Sequence, residues 1–276
     1  MIGLSGYIFL QEFPDRATFL TENQKYIVTT RIQRDRGDSV HDPLTLSKSL
    51  KYAMDLKIWM FSIIFFAATL AAYALAYFLP NILQGMGFNN MESQLLFAPP
   101  KAWGVIPGLT VAWLCDKYKQ RAMGVAFNAV FLVVGIVMFT ELQQKAVRYV
   151  GVFLAFGGAT ANVPLTVAWA QTSIRSQSKR AFTSALLIAW GGIGGICSGL
   201  LFIEKEGSYV PVLITVCKLT HSAKKGYPTG IYTTMSLNAA SVVLAFSLKA
   251  WFTYQNRRAE RGEVILEGHS NFRYQG

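Results

Sequence analysis

The chain has 276 residues, 52% of them apolar and only 15% charged. Soluble domains carry roughly 25% charged residues, and at least five long runs here carry almost none, so a soluble enzyme or binding domain is excluded as the first reading. The formal charge of +11 would suggest nucleic acid in a soluble protein, but the basic residues gather between apolar runs, which fits membrane topology and anionic headgroups instead.

Residues 1–12 (MIGLSGYIFLQE) are apolar but too short to span a bilayer. They read as the end of a helix whose beginning is missing. Residues 13–56 are polar and charged and are expected at the cytoplasmic face. Thr21 and Gln24 resemble a capping pair, and Tyr26, Ile27 and Ile32 recur near helical spacing, predicting a solvated amphipathic helix at the cytoplasmic face. Arg31, Arg34 and Arg36 cluster on it. Leu44, Leu46, Leu50 and Met54 predict a second short helix over residues 41–56.

From Ile58 to Leu79 no residue is charged. A helix of about 20 apolar residues crosses the hydrocarbon core and satisfies its own backbone there, so this run is the first full span. Asp55 and Lys57 precede it, and Pro80-Asn81 is expected to break it. Tyr73, Tyr77 and Asn81 are four apart and share one face. Such a polar stripe faces protein or a water-filled cavity rather than lipid.

The second span covers residues 93–115, where Pro99, Pro100, Pro107, Gly104 and Gly108 predict kinks. Lys101 is its one charge; snorkelling to the headgroups and contact with a substrate both account for it. The turn DKYKQR follows. The third span is 122–140, with Asn128 as its strong amide, and the fourth is 149–170, with Gly157, Gly158, Asn162 and Pro164 near its middle. The fifth, 181–203, carries GGIGG at 191–195, small residues that let helices approach closely. The sixth is 230–248, before a basic tail with Arg257, Arg258 and Arg261. The fold class is therefore all-α integral membrane: a six-helix domain over 57–253 and a cytoplasmic tail over 254–276. Residues 205–225 form an atypical outer insert whose apolar core, Tyr209 to Cys217, is too short to cross. A retained intron and a genuine extracellular elaboration both explain it.

If the spans alternate from the segment before the first, Lys and Arg concentrate on that side, which places both ends of the six-helix unit in the cytoplasm. Cys115, Cys197 and Cys217 have neither metal spacing nor a disulfide framework, and no metal-ligand cluster or cofactor is expected. No nucleophile–base pair or phosphate loop appears, so an enzyme is not expected.

FPDRATFLTENQKYIVTTRIQRDRGDS resembles the central loop of fungal anion:cation symporters, the allantoate permease-like branch of the major facilitator superfamily. DLKIWMFSIIFFAATLAAYALAYFLPNILQGMGF is similar to their seventh helix, and FAPP with VAWLCDKYKQRA to the eighth and its turn. SKRAFTSALLIAWGGIGGI resembles the eleventh helix and YPTGIYTTMSLNAASVVLA the twelfth. The resemblance implies twelve helices in two halves, with a small organic anion, such as allantoate or a vitamin-like carboxylate, bound between the halves and carried by proton symport. This chain would be the C-terminal half only, with residues 1–12 the tail of the sixth helix. Asp116, Lys117 and Arg121, after Ala112 where glycine is usual, match the superfamily's loop motif and imply a cytoplasmic latch. Read without the resemblance, they are equally a plain topology-setting turn.

The spans contain no Asp, Glu, Arg or His, so the resemblance assigns the titrating group to the absent half. The substrate-binding candidates are the neutral Tyr73, Tyr77, Asn81, Asn162 and Trp190. Tyr77 can equally be an interfacial belt residue, and Asn162 a bond to a neighbouring helix. Expected partners are the bilayer, an organic anion with a proton, and a missing N-terminal half or a second copy, with no nucleic acid. The expected location is the plasma membrane, multi-pass. A non-transporting scaffold or sensor, a self-assembled six-helix carrier and a truncated gene model without activity are the alternatives.

Overall fold

A computed structural model describes residues 19–36, 45–85, 87–201, 228–268 and 272–275. The expected stub at 1–12 and the insert at 205–225, with Cys217, lie outside the described residues. The helices run in order: α1 Glu22–Arg36, α2 Leu46–Ala53, α3 Leu56–Gly85, α4 Asn90–Leu95, α5 Ala98–Trp103, α6 Val105–Tyr118, α7 Arg121–Glu141, α8 Lys145–Thr172, α9 Gln177–Leu201 and α10 Pro228–Glu260. Among the described residues five helices are long and apolar enough to cross a membrane: α3, α7, α8, α9 and α10.

The expected second span is divided. Gly104 separates α5 from α6 yet keeps helical dihedrals (φ −55°, ψ −23°), and its N–H donates to the Pro100 carbonyl at 3.1 Å. The two pieces follow one another directly, and Pro107 withholds the N–H that the Trp103 carbonyl would otherwise receive. Residues 98–118 rise about 31 Å at 1.5 Å per residue.

Two boundaries move. α3 does not break at Pro80 but runs through it to Gly85. A proline deletes one hydrogen bond and crowds one carbonyl, and a long membrane helix tolerates both where neighbours compensate. α10 runs to Glu260 rather than giving way to tail at 254, with Arg257 and Arg258 in its last turn, where cations favour the negative helix end. α1 forms where the spacing predicts a solvated helix. The Thr21 N–H does donate to Gln24 Oε1 at 3.1 Å, and Tyr26 and Ile27 stay exposed. Leu46, Leu50 and Met54 around α2 are exposed too. The helical spacing is present, and these apolar side chains stay exposed.

Helix association in a bilayer rests on close packing, since lipid is as apolar as the side chains. α7 and α8 pack most intimately. A Cβ on Gly135 would lie 2.3 Å from the Ala155 nitrogen and 2.7 Å from the Gly151 carbonyl, and one on Gly158 2.6 Å from the Asn128 carbonyl. Only hydrogen fits there. Two apolar clusters result. One joins Leu75, Leu79, Leu132, Phe139 and Phe156; the other joins Phe61, Trp169, Leu187 and Phe252 with Leu266 and Tyr274 from beyond α10.

Candidate functional site

The tyrosine stripe of α3 lies on an exposed face of the helix. The Tyr73 and Tyr77 rings stack with centroids 5.8 Å apart and planes 18° apart, and they remain 40% and 59% exposed. Asn81 continues the same exposed face. Beneath Tyr73 lies Gly195 of α9, where a Cβ would meet the ring at 3.2 Å. Gly194 sits against Thr69 and the backbone of Leu70 and Phe66. The glycines thus let α9 approach α3 closely enough to form one wall with the tyrosines.

Trp190 belongs to the same wall, closer to the α3 N-terminus. Its ring meets Trp59 edge-on (6.1 Å, 81°) and Phe66 edge-on (5.8 Å, 88°). Trp59, Phe66 and Tyr73 are seven apart, and a seven-residue step nearly closes two helical turns, so they form a single aromatic run. Trp190 pairs with Phe66 and Gly195 with Tyr73, so α3 and α9 run in the same sense.

Asn162 is not on this face. It is 1% exposed among the buried residues of α8, and neither its Oδ1 nor its Nδ2 has a partner. The expected bond to a neighbouring helix is absent from its side chain; its backbone carbonyl accepts the Thr166 hydroxyl at 2.8 Å. An orphaned buried amide costs about 1–3 kcal/mol. Asn128 has an unpartnered Nδ2 as well. Asn238, which the sequence did not single out, donates to Ala67 O at 3.2 Å and Thr234 O at 2.9 Å while its Oδ1 is left over. Its only signal was an amide inside an apolar run.

Of the three latch residues the structure joins two. Arg121 Nη2 donates to Asp116 Oδ1 at 2.7 Å, while Nη1 donates to the Ala168 carbonyl and, at 3.2 Å, to the Thr172 hydroxyl. One guanidinium therefore ties the end of α6, the start of α7 and the end of α8. Lys119 makes the turn with a left-handed φ of 54°. Lys117 stands apart, over the Trp113 ring at 5.0 Å.

A second polar cluster was missed. Lys57 and Lys179 both reach Glu267, and Asp55 and Tyr274 complete the group. The sequence offered little signal for it, since Glu267 is one of three acids, with Glu260 and Glu263, in a basic tail. Among the described residues no group of three or more His, Cys, Asp or Glu could hold a metal ion.

A profile of the Major Facilitator Superfamily matches residues 5–199. The MFS transporter prlL of Fungal sp. (strain NRRL 50135) is 24% identical over 268 residues, 96% of this chain and 51% of that protein. The Major facilitator-type transporter hxnP of Emericella nidulans is 24% identical over 274 residues, 97% of this chain and 52% of its own length. The High-affinity nicotinic acid transporter of Saccharomyces cerevisiae is 28% identical over 152 residues, 55% of this chain and 28% of its own length. The chain spans about half the length of the first two relatives.

Proposed function

The chain belongs to the Major Facilitator Superfamily, and from that premise we propose that it forms the C-terminal half of a secondary transporter carrying a small organic anion by proton symport. It is an integral, multi-pass membrane protein, and the plasma membrane is its proposed location. Transporters of this kind bind substrate near the midplane at the interface of their repeats and work by rocking one against the other. This chain contributes one side of that interface. An allantoate permease-like subfamily is the proposed affiliation within the superfamily.

The observation that carries the reading is the stacked Tyr73–Tyr77 pair on an open helix face. Two phenol hydroxyls can donate to a carboxylate while their rings offer a platform to a planar anion. The name of one relative, a nicotinic acid transporter, specifies an aromatic carboxylate as that protein's substrate. We assign Tyr73 the principal hydrogen bond, Tyr77 and Asn81 the outer approach, and Trp190 the inner wall. Asn162 would reach substrate only if α8 shifts. Asp116 and Arg121 would hold the helix ends together in one transporter state, with Lys117 left to the headgroups. No carboxylate lies within the spans, so the proton-titrating group would belong to the other half.

The test has two arms. In a transporter assembled from this chain and a six-helix partner half, Tyr73→Phe should reduce uptake more than Tyr77→Phe. A lost hydrogen bond to a charged group is worth about 1.5–3 kcal/mol, or roughly tenfold to over a hundredfold. Equal, near-parental uptake in both variants counts against the Tyr73 ligand. The chain alone, in liposomes under a pH gradient, should not accumulate labelled organic anions. Saturable, gradient-driven uptake there would replace the half-transporter with a self-assembled carrier.

A further inference from the structure

Two grooves meet at the end of the bundle that the charge pattern assigns to the cytoplasm. The first lies between α6 and α7, encloses 500 Å³ and is lined by Val111, Leu114, Cys115, Met123, Gly124 and Phe127. Gly124 lets the two helices approach there. A Cβ on it would collide with the Cys115 sulfur and lie 2.9 Å from Leu165 Cδ2. Phe127 stacks on Phe131 (5.6 Å, 21°), which carries the apolar wall on toward the middle of α7. The second groove runs along α10, encloses 570 Å³ and is lined by Phe246, Lys249, Thr253, Tyr254 and Arg257. Lys249 Nζ donates to Gln120 Oε1 at 3.3 Å. Gln120 lines the first groove and Lys249 the second, so the two share an edge.

The cations around this edge are of two kinds. Arg121 is paired with Asp116, and Arg258 and Arg261 face Glu263. Lys117, Lys119, Lys249 and Arg257 make no ion pair among the described residues. Lys117 Nζ stands 5.8 Å from the Tyr118 ring, which lines the first groove, and Lys119 lies between Tyr118 and Gln120. Depth in the bilayer follows from α10. Its first charge is Lys249, about 30 Å along the axis from Pro228. The hydrocarbon core is about 30 Å thick, so Lys249 stands at its edge. Arg257 lies about 12 Å farther out. Trp251 and Tyr254, exposed between them, suit the interface.

We infer that these grooves form one binding site for a phospholipid of the cytoplasmic leaflet whose headgroup carries more than one phosphate. The inference is independent of the transported substrate and rests only on the membrane-spanning reading. The acyl chain lies along the Leu114–Phe127–Phe131 wall. The glycerol phosphate meets Lys249 at the hydrocarbon edge, beside Lys117 and Lys119. A single phosphate at that depth leaves Arg257 unmet, whereas a phosphorylated inositol ring projects outward to it. Basic pockets on the cytoplasmic side of membrane helices bind such headgroups. A soluble anion would use the cations but not the apolar groove, and an uncharged lipid the groove but not the cations. The bound headgroup ties α10 to the α6–α7 turn, in parallel with the Lys249–Gln120 bond.

The test titrates the whole chain, in detergent micelles, with a phosphatidylinositol bisphosphate, phosphatidylserine or phosphatidylcholine, and counts retained lipid by native mass spectrometry. The parent should retain one phosphatidylinositol bisphosphate at least about tenfold more tightly than phosphatidylcholine, with phosphatidylserine between. Lys249→Gln and Arg257→Gln should each weaken the bisphosphate lipid about fivefold. Lys51→Gln, on α2 and outside both grooves, removes the same charge and should leave binding unchanged. Helical circular dichroism checks that the variants fold. An equal concentration of soluble inositol trisphosphate should leave the lipid bound; displacement would make this a site for free phosphate and overturn the lipid. Equal retention of phosphatidylserine and the bisphosphate lipid would remove the contact at Arg257. Equal retention of all three lipids, or equal effects of Lys51→Gln and Arg257→Gln, would reduce the site to general surface charge and overturn the inference.

Discussion

Gly135→Ala and Gly192→Ala are the same substitution in two apolar membrane helices, and the structure gives them opposite signs. At Gly135 the new methyl would lie 2.3 Å from the Ala155 nitrogen and 2.7 Å from the Gly151 carbonyl. Both obstacles are backbone, so no side chain can swing away. Carbon atoms are comfortable at about 3.5–4.0 Å, so α7 and α8 must part by roughly 1 Å and lose contacts along their interface. Overpacking of this kind costs about 1–3 kcal/mol, and backbone obstacles place Gly135 at the upper end. At Gly192 nothing lies within 4 Å of the added methyl. There the higher helix propensity of alanine acts unopposed, worth up to about 1 kcal/mol. The two variants should differ by about 2–4 kcal/mol in unfolding free energy. Denaturation in detergent micelles, followed by helical circular dichroism, measures it. Equal midpoints for the two variants, or a Gly135→Ala midpoint at or above the parent, would refute the close α7–α8 approach.

Cysteine-accessibility labelling should place position 119 inside and position 146 outside; finding both on one side would sink the alternating topology. Asn162→Leu removes two orphaned polar atoms at similar volume, so the chain should fold as well or better, while uptake by an assembled transporter should fall if the amide meets substrate. Asp116→Asn should lower stability by under about 1 kcal/mol, because the carboxylate is 65% exposed; Arg121→Ala should cost more, since it also gives up the Ala168 and Thr172 contacts. Glu267 and Asp55, facing Lys57, Lys179 and Tyr274, have lowered carboxyl pKa values. Their contribution is therefore complete above the ordinary carboxylate range and lost as pH falls through the lowered values. Corrected for the intrinsic pH dependence of hydrogen exchange, protection of the Tyr274 amide should be flat between about pH 6 and 8 and fall only below about pH 4.

What was legible in the sequence is what repeats along one helix. The uninterrupted run from Ile58 to Leu79 announces a spanning helix because lipid leaves the backbone no alternative. The four-residue spacing of Tyr73 and Tyr77 announces a shared face, and their rings do stack. The prolines and glycines of residues 93–115 announce a kink, and Gly104 divides the helix. What was not legible depends on one residue meeting another far away. Pro80 reads as a breaker from its ring alone, whereas its tolerance depends on what surrounds it. Asn162 reads as a bonding amide, whereas its lack of a partner is decided by the shapes of helices packed around it. Lys57 reads as one more topology-setting charge, yet its partner Glu267 is 210 residues away. A tail rich in arginine and poor in apolar residues reads as solvated. Two buried side chains, Leu266 and Tyr274, and one carboxylate are enough to bring it under the bundle. A solvated acid opposite a lysine contributes little, because water screens both groups. The same acid between two shielded lysines has no such substitute, so Glu267 gains its importance from the burial of its partners rather than from its own sequence context.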